Sequence, residues 1–443
     1  MSTLEKGKFL RLKWILVFEA FFAGIYVSLT KGLFVIYLAS IGYKIEEISL
    51  VVFVSSTVSM VIGWLLYRHP SFILSRVKLK LTGFHALERI IWLLIPLITD
   101  SLVVSILYSL YMCFSALVST FLSFSIYGSF LEEDIKDVTA KRSAANGVSS
   151  ILGYVLSVFL LVFLPHEGSF IYIFSLGSLV GLISTFLVLF IDLSHLEGLH
   201  FPLTITQPER IFSASAFFVI LLSSSNLMGI VWAPYVMTQL NGPEYIAASM
   251  SLAGTASTIV ASLIWSRKSF KALRIGLVLN ALGPLIVWAT PWPAFHVPIN
   301  AYTSFTYTAA NFIGAFLFAK YNKWFGAVKS SVLLVSLNNA SQCVAAALGM
   351  LTRGSYLIAF SIVFAVKIMA TALALLTVPE TAVVPEDVAR TYSNLLYNNS
   401  LNGYQLAVEI SKETVVTTFR LVIISLVIVM LYLIYRVLWL FII

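Results

Sequence analysis

A lysine and two carboxylates stand where the chain has almost no other charge. Lys31 lies in the stretch GIYVSLTKGLFVIYLASIGYKIEEISL, Gly24 to Leu50. A cation near the centre of a membrane-spanning helix costs about 2.5 to 3.5 kcal/mol on insertion scales, so a substrate or gating role is the return to look for. Glu19 and Glu88 are the carboxylates that fall within apolar segments. A carboxylate stripped of water holds its proton more firmly, the property proton exchange uses, which makes both candidates for proton coupling. The competing reading is that each lies near one end of its helix and reaches the basic loops there, and for Glu88 it is the favoured one. On a helix, Ala20, Gly24, Ser28 and Lys31 form one stripe whose small members suit either a cavity wall or close packing on another helix. Glu19 falls roughly 140° from that stripe and about 18 Å from Lys31 along the axis, so the two are not a local ion pair. Arg89 projects about 100° from Glu88, and this adjacent pair is not expected to neutralise itself. Lys367, in the middle of a late apolar run, calls for a carboxylate or polar group on a neighbouring helix, or anchors an added span.

The elements that must position these groups follow from composition. Of 443 residues 59% are hydrophobic and only 11% charged, with a mean hydropathy of +0.95. Such a chain is an all-α polytopic membrane protein with little room for a soluble domain. Cutting at charged and Pro/Gly-rich breaks predicts helices near 14–38, 48–67, 81–99, 102–127, 144–165 and 169–191. A second group follows near 212–237, 246–265, 275–292, 296–319, 331–351 and 355–378. This gives an N-terminal six-helix half (1–191), a polar linker (192–211), a C-terminal six-helix half (212–379), a polar segment (380–420) and an apolar run (421–443) long enough for a thirteenth helix. The halves are related by a weak parallel repeat. GIVWAPYVMTQLNGPEYIAASM, Gly229 to Met250, echoes the first stretch about 198 residues later, with Tyr235 for Tyr37 and Gly242 for Gly42. Gly229 then stands opposite Lys31, so the lysine is an asymmetry added to a duplicated frame.

Basic residues cluster in alternate connections: Lys6, Lys8, Arg11 and Lys13 at the start, then Arg68, Arg76, Lys78 and Lys80, and so on to Lys320, Lys323 and Lys329. The other connections hold Lys44 and Arg353. Since Lys and Arg are retained on the cytoplasmic side, the N-terminus is expected inside and the protein in the cytoplasmic membrane. The tail contains Pro385, from which Val388, Tyr392 and Leu395 make an apolar stripe suited to the membrane surface. No basic, aromatic-interleaved block suggests a nucleic-acid partner. Cys113 and Cys343 have no metal or redox spacing and read as packing residues, so neither a metal nor a cofactor is expected.

A parallel repeat of six helices with a central linker resembles the major facilitator superfamily. The first helix pair resembles that family's opening, an apolar helix ending in Tyr37-Leu38 before Gly42 and then Ile48-Ser49-Leu50. The connection SFLEEDIKDVTAKRSAANGVSSILGYVLSVF, with its acidic stretch, Arg142 and Gly153, is similar too. The loop after the second helix, YRHPSFILSRVKLK, departs from the family's pattern by lacking its Asp and glycines, as does WSRKSFKALRIG in the second half. The resemblance implies that the first, fourth, seventh and tenth helices line a central cavity. The candidate substrate-binding residues are then Tyr26, Ser28 and Lys31; Tyr108, Tyr111 and Ser115; Asn226 and Trp232; Thr306, Tyr307 and Asn311; with Asn338 and Gln342 behind them. Polar side chains at this depth need partners, which a wet cavity or a neighbouring helix can supply.

The expected function is secondary active transport of a small organic solute by alternating access, driven by protons, in a monomer. No Walker A pattern is present, and no enzymatic activity is expected. The alternatives are a membrane glycosyltransferase using a lipid-linked donor, with Glu46-Glu47 as its acidic pair, and a lipid-linked oligosaccharide flippase.

Overall fold

A computed structural model describes residues 3–69, 71–130, 132–164, 168–197 and 211–377. The chain divides into two compact units, residues 1–371 and 372–443. Within the second, residues 372–377 continue the last described helix; the amphipathic segment after Pro385 and the expected thirteenth helix lie outside the described residues. The described residues form helices without strands: α1 (Thr3–Leu29), α2 (Phe34–Ser40), α3 (Ile45–Arg68), α4 (Ser71–Leu74), α5 (Val77–Leu94), α6 (Ser101–Ser129), α7 (Glu132–Phe163) and α8 (Ser169–Val188). Beyond the linker come α9 (Ile211–Pro234), α10 (Glu244–Trp265), α11 (Phe270–Ala289), α12 (His296–Met350) and α13 (Tyr356–Thr377).

Eight of the described helical segments are long and apolar enough to cross a membrane. Many large apolar side chains, such as Phe163, Leu179 and Leu263, face outward; lipid is the solvent for such a surface, and helices are what lipid permits. The protein is a multi-pass membrane protein. Two other expected helices are present but less apolar or shorter: α5, whose interior holds buried His85, Glu88 and Arg89, and α11, with its apolar stretch Ala272–Trp288.

α12 differs from expectation. Two helices separated by a loop at Lys320 to Lys329 were predicted, whereas the helical run His296–Met350 is unbroken over 55 residues. Charge alone does not stop a helix, and 320–329 holds one Gly and no Pro. A straight helix of that length would be about 80 Å long. Yet Tyr307 and Asn311 line the same cavity as Asn338 and Asn339, so the run is not one straight helix: the residues before 320 and those after 329 make two arms, in keeping with the two helices the sequence predicts.

The first helix is also divided. α1 ends at Leu29, Thr30 adopts φ −120° and ψ −92°, and Lys31–Leu33 form a single 3₁₀ turn before α2 resumes the course. The Thr30 hydroxyl donates back to the Tyr26 carbonyl at 2.7 Å, satisfying one acceptor freed near the break. In the second copy the residues opposite this break, 228–231, lie within α9, and the irregularity comes a few residues later. Pro234 removes a backbone donor, a π turn follows over Tyr235–Gln239, and the Thr238 hydroxyl donates to the Pro234 carbonyl at 2.8 Å.

Small residues set the closest helix seams, as expected where lipid offers no hydrophobic drive between helices. The stripe of Gly24 and Ser28 packs on α7: a Cβ on Gly24 would lie 2.1 Å from Ser149 Oγ, and one on Gly153 2.8 Å from Ser28 Cβ. Of the two uses open to that stripe, close packing is therefore the one its small members serve. A second seam joins α3 to the later arm of α12, where Asn339 donates to Ser59 Oγ at 2.7 Å and Ser336 meets Gly63. A third joins α7 to α10 at Gly147 and Ile259. These last two seams join helices of the first predicted group of six to helices of the second, as does the packing of α6 on α12 and of α2 on α9.

Candidate functional site

The break after α1 brings Lys31 to the wall of a cavity of about 420 Å³. Gly32 permits the tight passage of the backbone, since a Cβ there would lie 2.3 Å from the Tyr154 hydroxyl. α6 contributes Ser115, Ser119 and Ser123, one turn apart on a single face. The earlier arm of α12 adds Tyr307 and Asn311, the later arm Asn338 and Asn339, and α9 closes the apolar side with Phe218 and Leu222. Among the described residues no atom pairs with the Lys31 ammonium, and none of the lining residues is a carboxylate.

A smaller cavity of about 160 Å³ lies on the other side of Tyr307, which lines both. Its lysine is Lys367 of α13, a buried side chain whose ammonium donates to Asn280 Oδ1 at 2.7 Å. Asn280 in turn donates to the Thr303 carbonyl at 3.1 Å and to Thr306 Oγ1 at 3.3 Å, so α11, α12 and α13 are tied together. Gly229, the repeat counterpart of Lys31, lines this cavity together with Trp232. Trp232 Nε1 donates to His296 Nδ1 at 2.9 Å, and His296 Nε2 meets the Thr290 carbonyl at 3.1 Å. A carbonyl only accepts, so this network places the imidazole proton on Nε2.

The two in-span carboxylates have basic partners. Glu19 is 1% exposed and forms an ion pair of 2.9 Å with Arg142 of α7. Its other oxygen lies 3.3 Å from His85 Nε2, and His85 Nδ1 is 2.8 Å from Thr185 Oγ1. Arg142 also donates to the Leu16 carbonyl at 2.8 Å. Lys13 pairs with Asp137 one turn before it. Glu88 pairs with Arg89, which corrects the expectation that these neighbours do not neutralise each other. Their Cβ atoms diverge, but the Arg stem is long enough to bring the guanidinium back, and in a buried place the carboxylate is its compensating charge. The same guanidinium lies 4.7 Å over the Tyr26 ring.

The remaining predicted residues divide by place. Tyr26, Tyr108 and Tyr111 are buried, the last two in an aromatic cluster with Phe34 stacked on Tyr108 at 4.0 Å and Trp92 against Tyr111 at 4.9 Å. Tyr26 donates to the Glu88 carbonyl at 3.3 Å. Ser28 bonds back to the Gly24 carbonyl at 2.9 Å. None of these four lines either cavity. Asn226 donates to Ser341 Oγ at 3.0 Å, a tie between α9 and α12, and Gln342 lines neither cavity. Lys31, Ser115, Tyr307, Asn311 and Asn338 are brought together around the larger space, and Trp232 and Tyr307 around the smaller.

Sequence reasoning passed over Ser119, Ser123, Asn300 and Ser304. The signal was present in spacing: Asn300, Ser304, Tyr307 and Asn311 recur at helical intervals and make one polar stripe on an otherwise apolar helix. For Lys367, a polar group on a neighbouring helix is present: Asn280 accepts from its ammonium.

Solved structures share this architecture. A D-xylose-proton symporter matches with a TM-score of 0.61 at 12% identity, over 84% of this chain and 98% of that one. A bacterial homologue of the iron transporter ferroportin, in its inward-facing state, matches with a TM-score of 0.60 at 14% identity over the same shares. The nucleoside transporter NupG matches with a TM-score of 0.56 at 14% identity, over 82% of this chain and 98% of that one. No family model and no curated protein matches the sequence. The likenesses establish the fold, which is of the major facilitator type.

Proposed function

We propose that this protein is a secondary transporter that carries a small organic solute across the cytoplasmic membrane by alternating access, with its N-terminus inside. The observation that carries the reading is the cavity of about 420 Å³ whose walls come from α6 and the α1 break on one side and α9 and α12 on the other. That volume lies in the range of small-molecule sites, about 300–1,000 Å³. A site walled by both halves of a parallel repeat is the arrangement in which rocking of one half against the other exposes the same residues to each side in turn. The seams of α3 with α12 and α7 with α10 are the surfaces that would slide, and each has a glycine, Gly63 or Gly147, at a close approach. The named structural neighbours are transporters, which supports transport over the glycosyltransferase reading. We take residues 1–191 and 212–379 as the moving halves and 192–211 as their linker.

Coupling to protons completes the proposal. Glu19 beside His85 is a carboxylate–imidazole pair that shares charge with Arg142, and such pairs exchange protons as a unit. Glu88, held by Arg89, is the second candidate. The test is uptake into proteoliposomes of a panel of organic acids, sugars, amino acids and nucleosides, with and without a pH gradient. Faster uptake on the gradient is expected, with Glu19→Gln losing that acceleration while keeping solute counterflow. Uptake indifferent to the gradient removes the coupling, and absence of any uptake or counterflow removes the transporter.

A further inference from the structure

We infer that the solute is an organic anion with an apolar portion, and that its anionic group binds at Lys31. This rests on the transporter reading and specifies the ligand of the same cavity. The argument begins with charge balance. The Lys31 ammonium stands at the wall of a cavity within the membrane, and among the described residues no hydrogen bond or ion pair holds it. The carboxylates that could have done so are committed elsewhere, Glu19 to Arg142 and Glu88 to Arg89. A cation in such surroundings is stable only with hydration or a counter-charge, and a ligand oxyanion is the counter-charge that can enter and leave.

The neighbours of the lysine suit the same ligand. Asn311 and Asn338 present amide groups to the cavity, and neither side chain has a partner among the described residues; the same holds for the hydroxyls of Ser119 and Ser123. Donors grouped around an ammonium are the recognition set for a carboxylate or a phosphate, because the charge-assisted bonds they form are stronger than neutral ones. Phe218 and Leu222 line the cavity from α9 and cannot bind charge, so the remainder of the solute on that side is apolar. A polycation is excluded by the same inventory, since it would meet a lysine and no carboxylate.

Position in the fold gives Lys31 a competing structural role. It follows the C-terminus of α1, where a cation is favoured by the helix dipole. That role requires positive charge but no ligand, and binding separates the two. The purified full chain in detergent would be titrated with octanoate, benzoate and phenylphosphonate, and in parallel with octanamide and benzamide, following thermal stabilisation of wild type, Lys31→Gln and Lys31→Arg. Wild type is expected to bind at least one of the anions and to bind the matching amide more weakly. Lys31→Gln is expected to lose about ten- to a hundredfold in anion affinity, the equivalent of one charge-assisted hydrogen bond, with Lys31→Arg retaining most of it. Equal binding of anion and amide, or an unchanged affinity in a folded Lys31→Gln, overturns the inference, as does failure of every anion while sugars or nucleosides bind. Counterflow in vesicles keeps the two proposals apart. Exchange of neutral solutes with no preference for anions leaves the transporter standing and the anion site refuted. Lys31-dependent binding without exchange of any solute supports the anion site and contradicts transport.

Discussion

The two cavities flanking Tyr307 each contain one lysine, and the lysines are treated in opposite ways. Lys367 is buried and its ammonium is held by Asn280, which is itself anchored to Thr303 and Thr306. Lys31 is half-buried, enters from a break in its helix, and has no partner among the described residues. The second copy of the repeat has Gly229 where the first has Lys31, and Gly229 lines the cavity that Lys367 serves. The duplicated frame thus carries a cation on each side, placed by unrelated positions. The difference teaches how to tell a structural charge from a working one in a membrane. A satisfied charge ties helices together, whereas an unsatisfied one at the edge of a cavity is available to a ligand.

Substitutions can break or sharpen this contrast. The largest effect is expected from Asn280→Leu, which leaves the Lys367 ammonium buried without its acceptor. Loss of about 3 kcal/mol follows from removing a hydrogen bond to a charged group and leaving that group unsatisfied, and thermal unfolding in detergent would measure it. Adding Lys367→Met to Asn280→Leu should recover most of that loss, because replacing both partners removes the orphaned charge. An Asn280→Leu protein as stable as wild type would place Lys367 in the same class as Lys31. The smallest effect is expected from Lys31→Met, a change within about 1 kcal/mol, since only the favourable position at the end of α1 is lost. A collapse of stability in Lys31→Met would make Lys31 a structural residue and erase the contrast.

Much of this fold was legible because the bilayer imposes it. Apolar stretches bounded by charged and Pro/Gly-rich breaks predicted the helices. The departures have physical reasons. The division at Thr30 had a weak signal, Gly32 directly after Lys31, whose meaning depends on the approach of Tyr154 from α7. Helical backbone runs on between the two arms of α12 because hydropathy marks where a chain leaves the membrane, and 320–329 holds no Pro to end the helix there. Glu88 and Arg89 were separated by their directions on the helix, although a long buried side chain bends to its counter-charge. Among site residues, Lys31 was conspicuous as a charge. Ser119 and Ser123 were not, because serine is ordinary in apolar helices and only its repetition on one face of α6, opposite the polar stripe of α12, gives it meaning. Tyr26, Tyr108 and Tyr111 show the reverse: on helices expected to face the cavity, Tyr108 and Tyr111 pack instead against Phe34, Trp92 and each other, and Tyr26 lies under the Arg89 guanidinium.

The central claim is that Lys31 faces a space reached by solute from each side of the membrane in turn. Its most direct test is thiol labelling of Lys31→Cys in a background of Cys113→Ser and Cys343→Ser, reconstituted in sealed vesicles, with a charged membrane-impermeant thiosulfonate supplied outside or trapped within. Phe159→Cys, on an outward face of α7, serves as the lipid-facing control. Labelling of Lys31→Cys from both sides, with Phe159→Cys unreactive, is the predicted result. Failure to label from either side, or labelling from one side alone, would contradict it.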